Sequence, residues 1–320
     1  MCKIINLVVF LDGTWNTIES ETNVFKMKQK IHDGSYSFEN DNIIFKTLSH
    51  YEEGPGTTSN NNIIGGAFAT DLPIQIANTY NWLTRVFSSC AVSSDVHVQI
   101  FLFGFSRGAY AAHILSWILS ECGIPKNYSK SSEYVCSYLK YKENQFSDDE
   151  FYSSFDIKML GVWDVVSAPF DYYQHCHDGE RALKVKKIYH AMAANERRKM
   201  FQVMKYSNTD NNVKQIWFSG VHSDVGGGYA DDSTLSDIAL DWMIQNAIKE
   251  DLAFDHQQSN NLTAHSLDFD NLLIHDEASP STCPNRKYEG ELLHESLLAR
   301  INKQNDIYKP DLIGFNSRIG

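Results

Sequence analysis

Short runs of apolar, β-branched and aromatic residues recur along the chain, each ending in a turn-forming cluster, and segments of helical period lie between several of them. Four runs read as strands: Ile4 to Leu11 ending at Asp12-Gly13, His97 to Phe103 ending at Gly104, Ile157 to Trp163 ending at Asp164, and Val213 to Phe218 ending near Gly220. Their apolar character is nearly continuous rather than alternating. Such strands are covered on both faces, so the pattern predicts an α/β protein with a mostly parallel central sheet flanked by helices.

Helical spacing predicts a helix over Gly108 to Leu119, apolar nearly all round and hence buried, and another over about Ser236 to Ala247, striped by Ile238, Ala239, Trp242 and Met243. Val185, Ile188, Tyr189 and Met192 also share one helical face and predict a helix there, with His190 packed in it. Polar, aromatic-rich stretches at 123–156 and 165–180 carry no strong period and read as lid or insertion segments. Without an internal repeat or a low-complexity linker, residues 1–320 read as one domain with excursions.

The strongest chemical signal is Gly104-Phe105-Ser106-Arg107-Gly108, a G-x-S-x-G pattern between a strand and an Ala-rich helix. That setting is what a nucleophile elbow requires: the glycines leave room for a sharp turn, and the serine hydroxyl projects at a helix N-terminus whose dipole favours an oxyanion. A serine needs a base and an orienting acid, which in α/β-hydrolases follow in the order Ser, Asp, His. Asp164 closes a strand 58 residues after Ser106, and His222 lies another 58 residues on, before Gly226-Gly227-Gly228. The alternative for Asp164 is a turn-initiating residue. Among twelve histidines, His294 in Leu293-His294-Glu295-Ser296 is the rival for the base.

The first strand ends in Leu11-Asp12-Gly13-Thr14-Trp15-Asn16. An aspartyl-phosphate mechanism needs a nucleophilic Asp two positions before Asp12, where Phe10 stands. The turn supplies instead either the second oxyanion-hole amide, from Gly13 or Thr14, alongside that of Arg107, or simply a tight turn held by Asp12 and Asn16. The Arg107 guanidinium offers a fork for a substrate phosphate. Asp224 joins it as the second expected substrate contact. His175-Cys176-His177-Asp178 contains ligand-type residues, but adjacent side chains rarely converge on one ion, so it reads as a polar loop and no metal or other cofactor is expected.

The blocks Phe10-Leu11-Asp12-Gly13-Thr14-Trp15-Asn16, Gly54-Pro55-Gly56-Thr57, Gly104 to Tyr110, Gly161-Val162-Trp163-Asp164 and Val221 to Tyr229 occur in one order. Together they resemble the α/β-hydrolase family that includes the phospholipase effectors of type VI secretion systems. The likeness runs from about residue 4 to 310, through His294-Glu295-Ser296 to Tyr308-Lys309-Pro310. The resemblance implies an α/β-hydrolase fold and a Ser–Asp–His esterase cutting acyl chains from glycerophospholipids, its triad carried by Ser106, Asp164 and His222. It also implies a secretion-machinery or immunity partner. One block departs: Tyr189 to Arg198 has Asn195 where the family usually has Asp. A soluble ester or thioester substrate, or a silent hydrolase fold acting as an interaction module, are the competing expectations.

Charge narrows the partners. With 40 acidic against 28 basic residues the net charge is −12, which disfavours nucleic acid. Arg181 to Lys205 is an exception, with eight bases and one acid, and a basic helix there is expected to face either an anionic headgroup or solvent. The start, Met1-Cys2-Lys3, runs straight into an apolar strand, unlike a secretory leader, so synthesis in the cytosol and signal-independent export are expected. No run of about 20 apolar residues occurs, so membrane contact is expected to be peripheral. Six cysteines without a C-x-x-C pair suit reduced thiols.

Overall fold

Alternate side chains of the first strand, β1 (Cys2–Leu11), enter two different cores: Ile5, Leu7, Val9 and Leu11 pack on one face and Val8 and Phe10 on the other. The computed structural model describes residues 2–38, 43–57, 66–90, 95–130, 133–135, 148–167, 183–207, 212–255, 273–275, 277 and 286–301. In chain order they form β1, α1 (Asn23–Lys30), β2 (Gly34–Tyr36), β3 (Ile43–Glu52), α2 (Gly66–Cys90), β4 (Val96–Phe105) and α3 (Ser106–Glu121). There follow β5 (Ile124–Pro125), β6 (Phe151–Tyr152), β7 (Asp156–Trp163), β8 (Val185–Ala193) and β9 (Val213–Phe218). Last come α4 (His222–Gly226), α5 (Thr234–Lys249), β10 (Leu292–Leu293) and α6 (Glu295–Ile301).

The main sheet runs β2-β3-β1-β4-β7-β8-β9-β10, parallel throughout except for the antiparallel β2–β3 pair. Helices α2 and α3 cover one face through Tyr80, Leu83, Ile114 and Leu115; α1 and α5 cover the other through Met27, Ile238 and Met243. The fold is therefore α/β with a doubly covered, mostly parallel sheet, as the strand pattern predicts. From β1 the chain moves outward to β3, then returns through α2 to β4 on the other side of β1. The chain thus leaves β1 and β4 toward opposite sides of the sheet, the switch point at whose carboxyl edge open α/β sheets bind ligands.

The helix expected at Val185 to Met192 is instead strand β8, seated between β7 and β9. Its four apolar residues have helical spacing, but the residues from Ile188 to Ala193 are all buried. They divide by alternation: Tyr189, Ala191 and Ala193 face the α1/α5 side, while Ile188 joins the α2/α3 core. A strand buried on both faces cannot show period two in sequence. His190 accordingly lies in a strand, its Nε2 accepting from the Val165 amide at 3.2 Å and its Nδ1 donating to Gln215 Oε1 at 3.3 Å.

The expected basic helix is absent for the same reason. Its charges are spread over β8 and the following loop, and three of them are paired: Lys186 with Asp156 at 2.6 Å, Arg198 with Glu196 at 2.7 Å and Lys205 with Glu291 at 2.7 Å. Of the expected lid at 123–156, the ends pair as the small β5–β6 ladder, and 136–147 lie outside the described residues. The second lid lies outside them from residue 168 onward, including His175 to Asp178, as does Tyr308 to Pro310.

Close packing of α3 against the end of β1 fixes the nucleophile turn. A Cβ on Gly108 would come within 2.2 Å of the Leu11 carbonyl oxygen, and one on Gly104 within 2.6 Å of the Gly108 oxygen. Gly108→Ala is therefore expected to lower unfolding stability by about 2–3 kcal/mol through overpacking, measured by urea denaturation; wild-type stability would contradict this packing.

His294, 9% exposed and stacked on Phe218 with centroids 4.4 Å apart, is pushed down to about 4 by burial and by Lys214. The unfolded chain takes up a proton near 6.5 whereas the folded one resists until about 4, so the stability this residue confers is full above pH 6.5 and drains as pH falls toward 4. His294→Gln should flatten the acid side of the stability curve relative to wild type. An unchanged slope would contradict it.

Candidate active site

Strand register brings three chain reversals to one edge. Phe105 at the end of β4 is opposite Trp163 at the end of β7, and Trp163 is opposite Ala191 near the end of β8. Ser106 and Asp164 follow directly, and both adopt left-handed backbone, with φ of 57° and 43°. Non-glycine residues rarely take this conformation, and it points each side chain away from its strand. His222 opens α4 after β9, beyond a reversal at Gly220 with φ of 114°.

The three side chains meet. His222 Nε2 lies 2.7 Å from Ser106 Oγ, and His222 Nδ1 lies 2.6 Å from Asp164 Oδ2. These partners assign the tautomer: Nδ1–H donates to the carboxylate and Nε2 accepts from the serine hydroxyl. Ser106 is 6% exposed, His222 4% and Asp164 0%. Burial pushes the His222 imidazole below its ordinary value, against the hydrogen bond and charge of Asp164, while Arg286 adds to the lowering and Glu196 opposes it. A neutral imidazole is the form that can accept a serine proton.

Asp164 is the most constrained member. Its own amide donates to Ala191 O at 2.8 Å, and its Oδ1 accepts from the Ala193 amide at 2.9 Å. Arg286 reaches both oxygens as a fork, Nη1 to Oδ1 at 2.6 Å and Nη2 to Oδ2 at 3.0 Å. Burial works against the charged form, but the Arg286 guanidinium and His222 outweigh it and hold the carboxyl well below the usual carboxylate range.

Rings clamp the imidazole. Phe105 lies against it at 4.5 Å and Phe201 meets it edge-on at 4.8 Å, with the Arg198 guanidinium over the far ring at 3.8 Å. The His222 amide donates to Glu196 Oε2 at 3.2 Å. Asn195, the position that departs from the family block, accepts from the Gly220 amide at 2.8 Å and so ties the exits of β8 and β9 together with a neutral side chain.

The loop after β1 abuts the serine: a Cβ on Gly13 would lie 3.1 Å from Ser106 Cβ. Buried Asp12 organises this loop, accepting from the Gly13 amide at 2.7 Å, Thr22 Oγ1 at 2.6 Å and Tyr51 Oη at 2.8 Å, and burial pushes it up to about 6. Gln75 Nε2 ties the Asp12 carbonyl to that of Glu53 at 3.1 and 2.9 Å, and Trp15 N donates to Pro55 O at 2.9 Å. The Gly54 to Thr57 block thereby supports the β1 loop.

The two expected substrate contacts, Arg107 and Asp224, are both buried. Arg107 is 5% exposed, its side chain buried rather than presented at the surface. Asp224 is 2% exposed, accepting from the Val221 amide at 2.9 Å and facing His275 Nδ1 at 2.6 Å, so its carboxylate closes the His222 turn. His294, the rival base, pairs with Ser296 Oγ at 2.9 Å and not with Ser106. Sequence reasoning passed over Arg286 and Phe201, which have no motif to mark them, and Glu196, which lies in the Tyr189 to Arg198 block but was given no role. Among the described residues, no group of three or more His, Cys, Asp or Glu side chains is arranged to hold a metal ion. No described helix is long and apolar enough to cross a membrane.

Comparison with known proteins bears on the fold and the family. No curated protein matches the chain. A solved Tle1 effector bound to the VgrG spike from the type 6 secretion system is 18% identical, with a TM-score of 0.45 over 71% of this chain and 51% of that one. An uncharacterized protein from Pseudomonas aeruginosa is 17% identical, with a TM-score of 0.50 over 79% of this chain and 47% of that one, a likeness of fold alone. The chain thus spans about half the length of these structures. The catalytic-domain model of the T6SS Tle1-like phospholipase effectors matches residues 5–246, most of the chain, and the protein belongs to that family.

Proposed function

We propose that the protein is a serine hydrolase that releases acyl chains from phospholipids, a phospholipase A-type activity. The observation that carries this reading is the continuous hydrogen-bonded line from Ser106 Oγ through the His222 imidazole to Asp164, at 2.7 and 2.6 Å, on a strained turn after a central strand. Membership of a phospholipase effector family supports a lipid ester as the substrate.

In this mechanism Ser106 Oγ attacks the ester carbonyl as His222 Nε2 takes its proton. The imidazolium returns the proton to the departing glycerol oxygen, leaving an acyl-serine that a water activated by the same imidazole hydrolyses. Asp164 holds the imidazole in the tautomer required and balances its transient charge. The Arg107 amide, in the first turn of α3 at the positive end of the helix, and the Thr14 amide hold the oxyanion. We assign Thr14 over Gly13 because the Gly13 amide already donates to Asp12. Asp224 acts in this reading as the organiser of the His222 turn, and the family's link to type VI secretion supports that machine as the delivery route.

The test uses purified protein on phosphatidylglycerol–phosphatidylethanolamine vesicles, with products read by mass spectrometry. Fatty acid and lysophospholipid are expected, and Ser106→Ala should lower kcat by about 10⁴-fold or more. Undiminished hydrolysis by the variant, or diacylglycerol as product, would contradict the proposal. Because burial lowers the His222 imidazole, the acid limb of kcat/KM on a short-chain ester should fall below the ordinary histidine value of 6.5. A limb at or above 6.5 contradicts that sign.

A further inference from the structure

We propose that Arg286 is a positioning residue of this site, its guanidinium fork locking the plane of the Asp164 carboxylate that orients His222 and sharing that carboxylate's charge. The inference rests on the triad reading above and extends it to a residue 122 positions beyond Asp164 and outside the family match at 5–246.

Arg286 is 8% exposed, and both its Nη groups are committed. Nη1 bonds Asp164 Oδ1 at 2.6 Å and Ala193 O at 2.8 Å; Nη2 bonds Asp164 Oδ2 at 3.0 Å and Phe201 O at 2.5 Å. Nε is buried without a hydrogen-bond partner among the described residues. Two parallel bonds to one carboxylate remove its freedom to rotate, and Oδ2, the oxygen facing His222 Nδ1, is also the one Nη2 holds. The anchoring carbonyls belong to the end of β8 and to the residue whose ring packs on His222. The fork therefore registers the acid and the base against each other.

Electrostatic consequences follow from who faces His222. Asp164 approaches from the end of β7, Glu196 from the loop after β8, Arg286 from the C-terminal segment and Ser106 from α3, while Arg198 neutralises Glu196 at 2.7 Å. With Arg286 in place the imidazole sits between two internally balanced acid–base pairs. Removing the guanidinium would leave a buried, uncompensated carboxylate beside it, and the imidazole would hold a proton to higher pH and cease to be a base there.

Following the Nδ1 proton of His222 by NMR across the acid and neutral range tests this without any substrate. In Arg286→Gln the imidazole is expected to titrate about one pH unit higher than in wild type, and kcat/KM on a short-chain ester to fall about tenfold more on the acid side than at alkaline pH. An unshifted midpoint, or equal loss at every pH, would overturn the proposal and leave Arg286 a staple of the C-terminal segment. Should Arg286→Gln fail to fold, Arg286→Lys carries the test, since it keeps charge but not the fork. A wild-type midpoint with kcat about tenfold lower at unchanged KM is then expected, and a wild-type kcat overturns it. Because the titration needs no turnover, a wild type that hydrolyses no ester would contradict the function proposed above while leaving the titration to decide on Arg286.

Discussion

A carboxylate with no solvent access stands at the end of the central strand β7, and much of the surrounding structure answers to it. An isolated buried carboxylate is unstable by several kcal/mol, and breaking such a pair by removing its partner costs about 3–5 kcal/mol. Asp164 is satisfied from three directions: the Ala193 amide closing β8, the His222 imidazole after β9 and the Arg286 fork from the C-terminal segment. These segments are distant in sequence. They share one edge because the sheet is parallel and its strands end in register.

Sheet topology supplies the other half of the site. The chain turns outward from β1 to β3 and comes back to β4, so the Asp12–Thr14 loop and the Ser106 turn lie side by side at the carboxyl edge. Both depend on backbone approach that a side chain would block, at Gly13 beside Ser106 and at Gly108 beside Leu11. The buried Asp12 network then fixes the first loop as the Asp164 network fixes the second. In the proposed mechanism, rigid hydrogen-bonded turns around a neutral imidazole would place the base before substrate arrives, which is where preorganisation contributes to rate.

The chemistry was more legible in the sequence than parts of the fold. Ser106, Asp164 and His222 could be found because each follows a strand that ends in a recognisable turn, and G-x-S-x-G carries a steric reason for every glycine. Strand β8 misled because its doubly buried residues happen to fall at helical spacing. Helix α2 escaped the pattern through Pro73 and through polar residues on its buried face, where Thr79 and Thr84 donate to the carbonyls of Gln75 and Tyr80, four residues back. Strand β3 escaped it through buried Thr47 among mixed neighbours. Arg286 had no local signal at all, since its partner lies 122 residues away and only the folded sheet brings them together. Glu196 and Phe201 show their role only in the fold, where the loop after β8 brings them against His222.

The chemistry proposed for this member of the T6SS Tle1-like phospholipase effector family is nucleophilic attack by Ser106, activated through the buried His222 imidazole 2.7 Å away. Its most direct test is covalent labelling with a fluorophosphonate, followed by intact-mass and peptide mass spectrometry on wild type and His222→Gln. The account predicts a single adduct on Ser106 in the wild type and labelling slowed by orders of magnitude in the variant. An unlabelled Ser106, or labelling at equal rate without the imidazole, would contradict it.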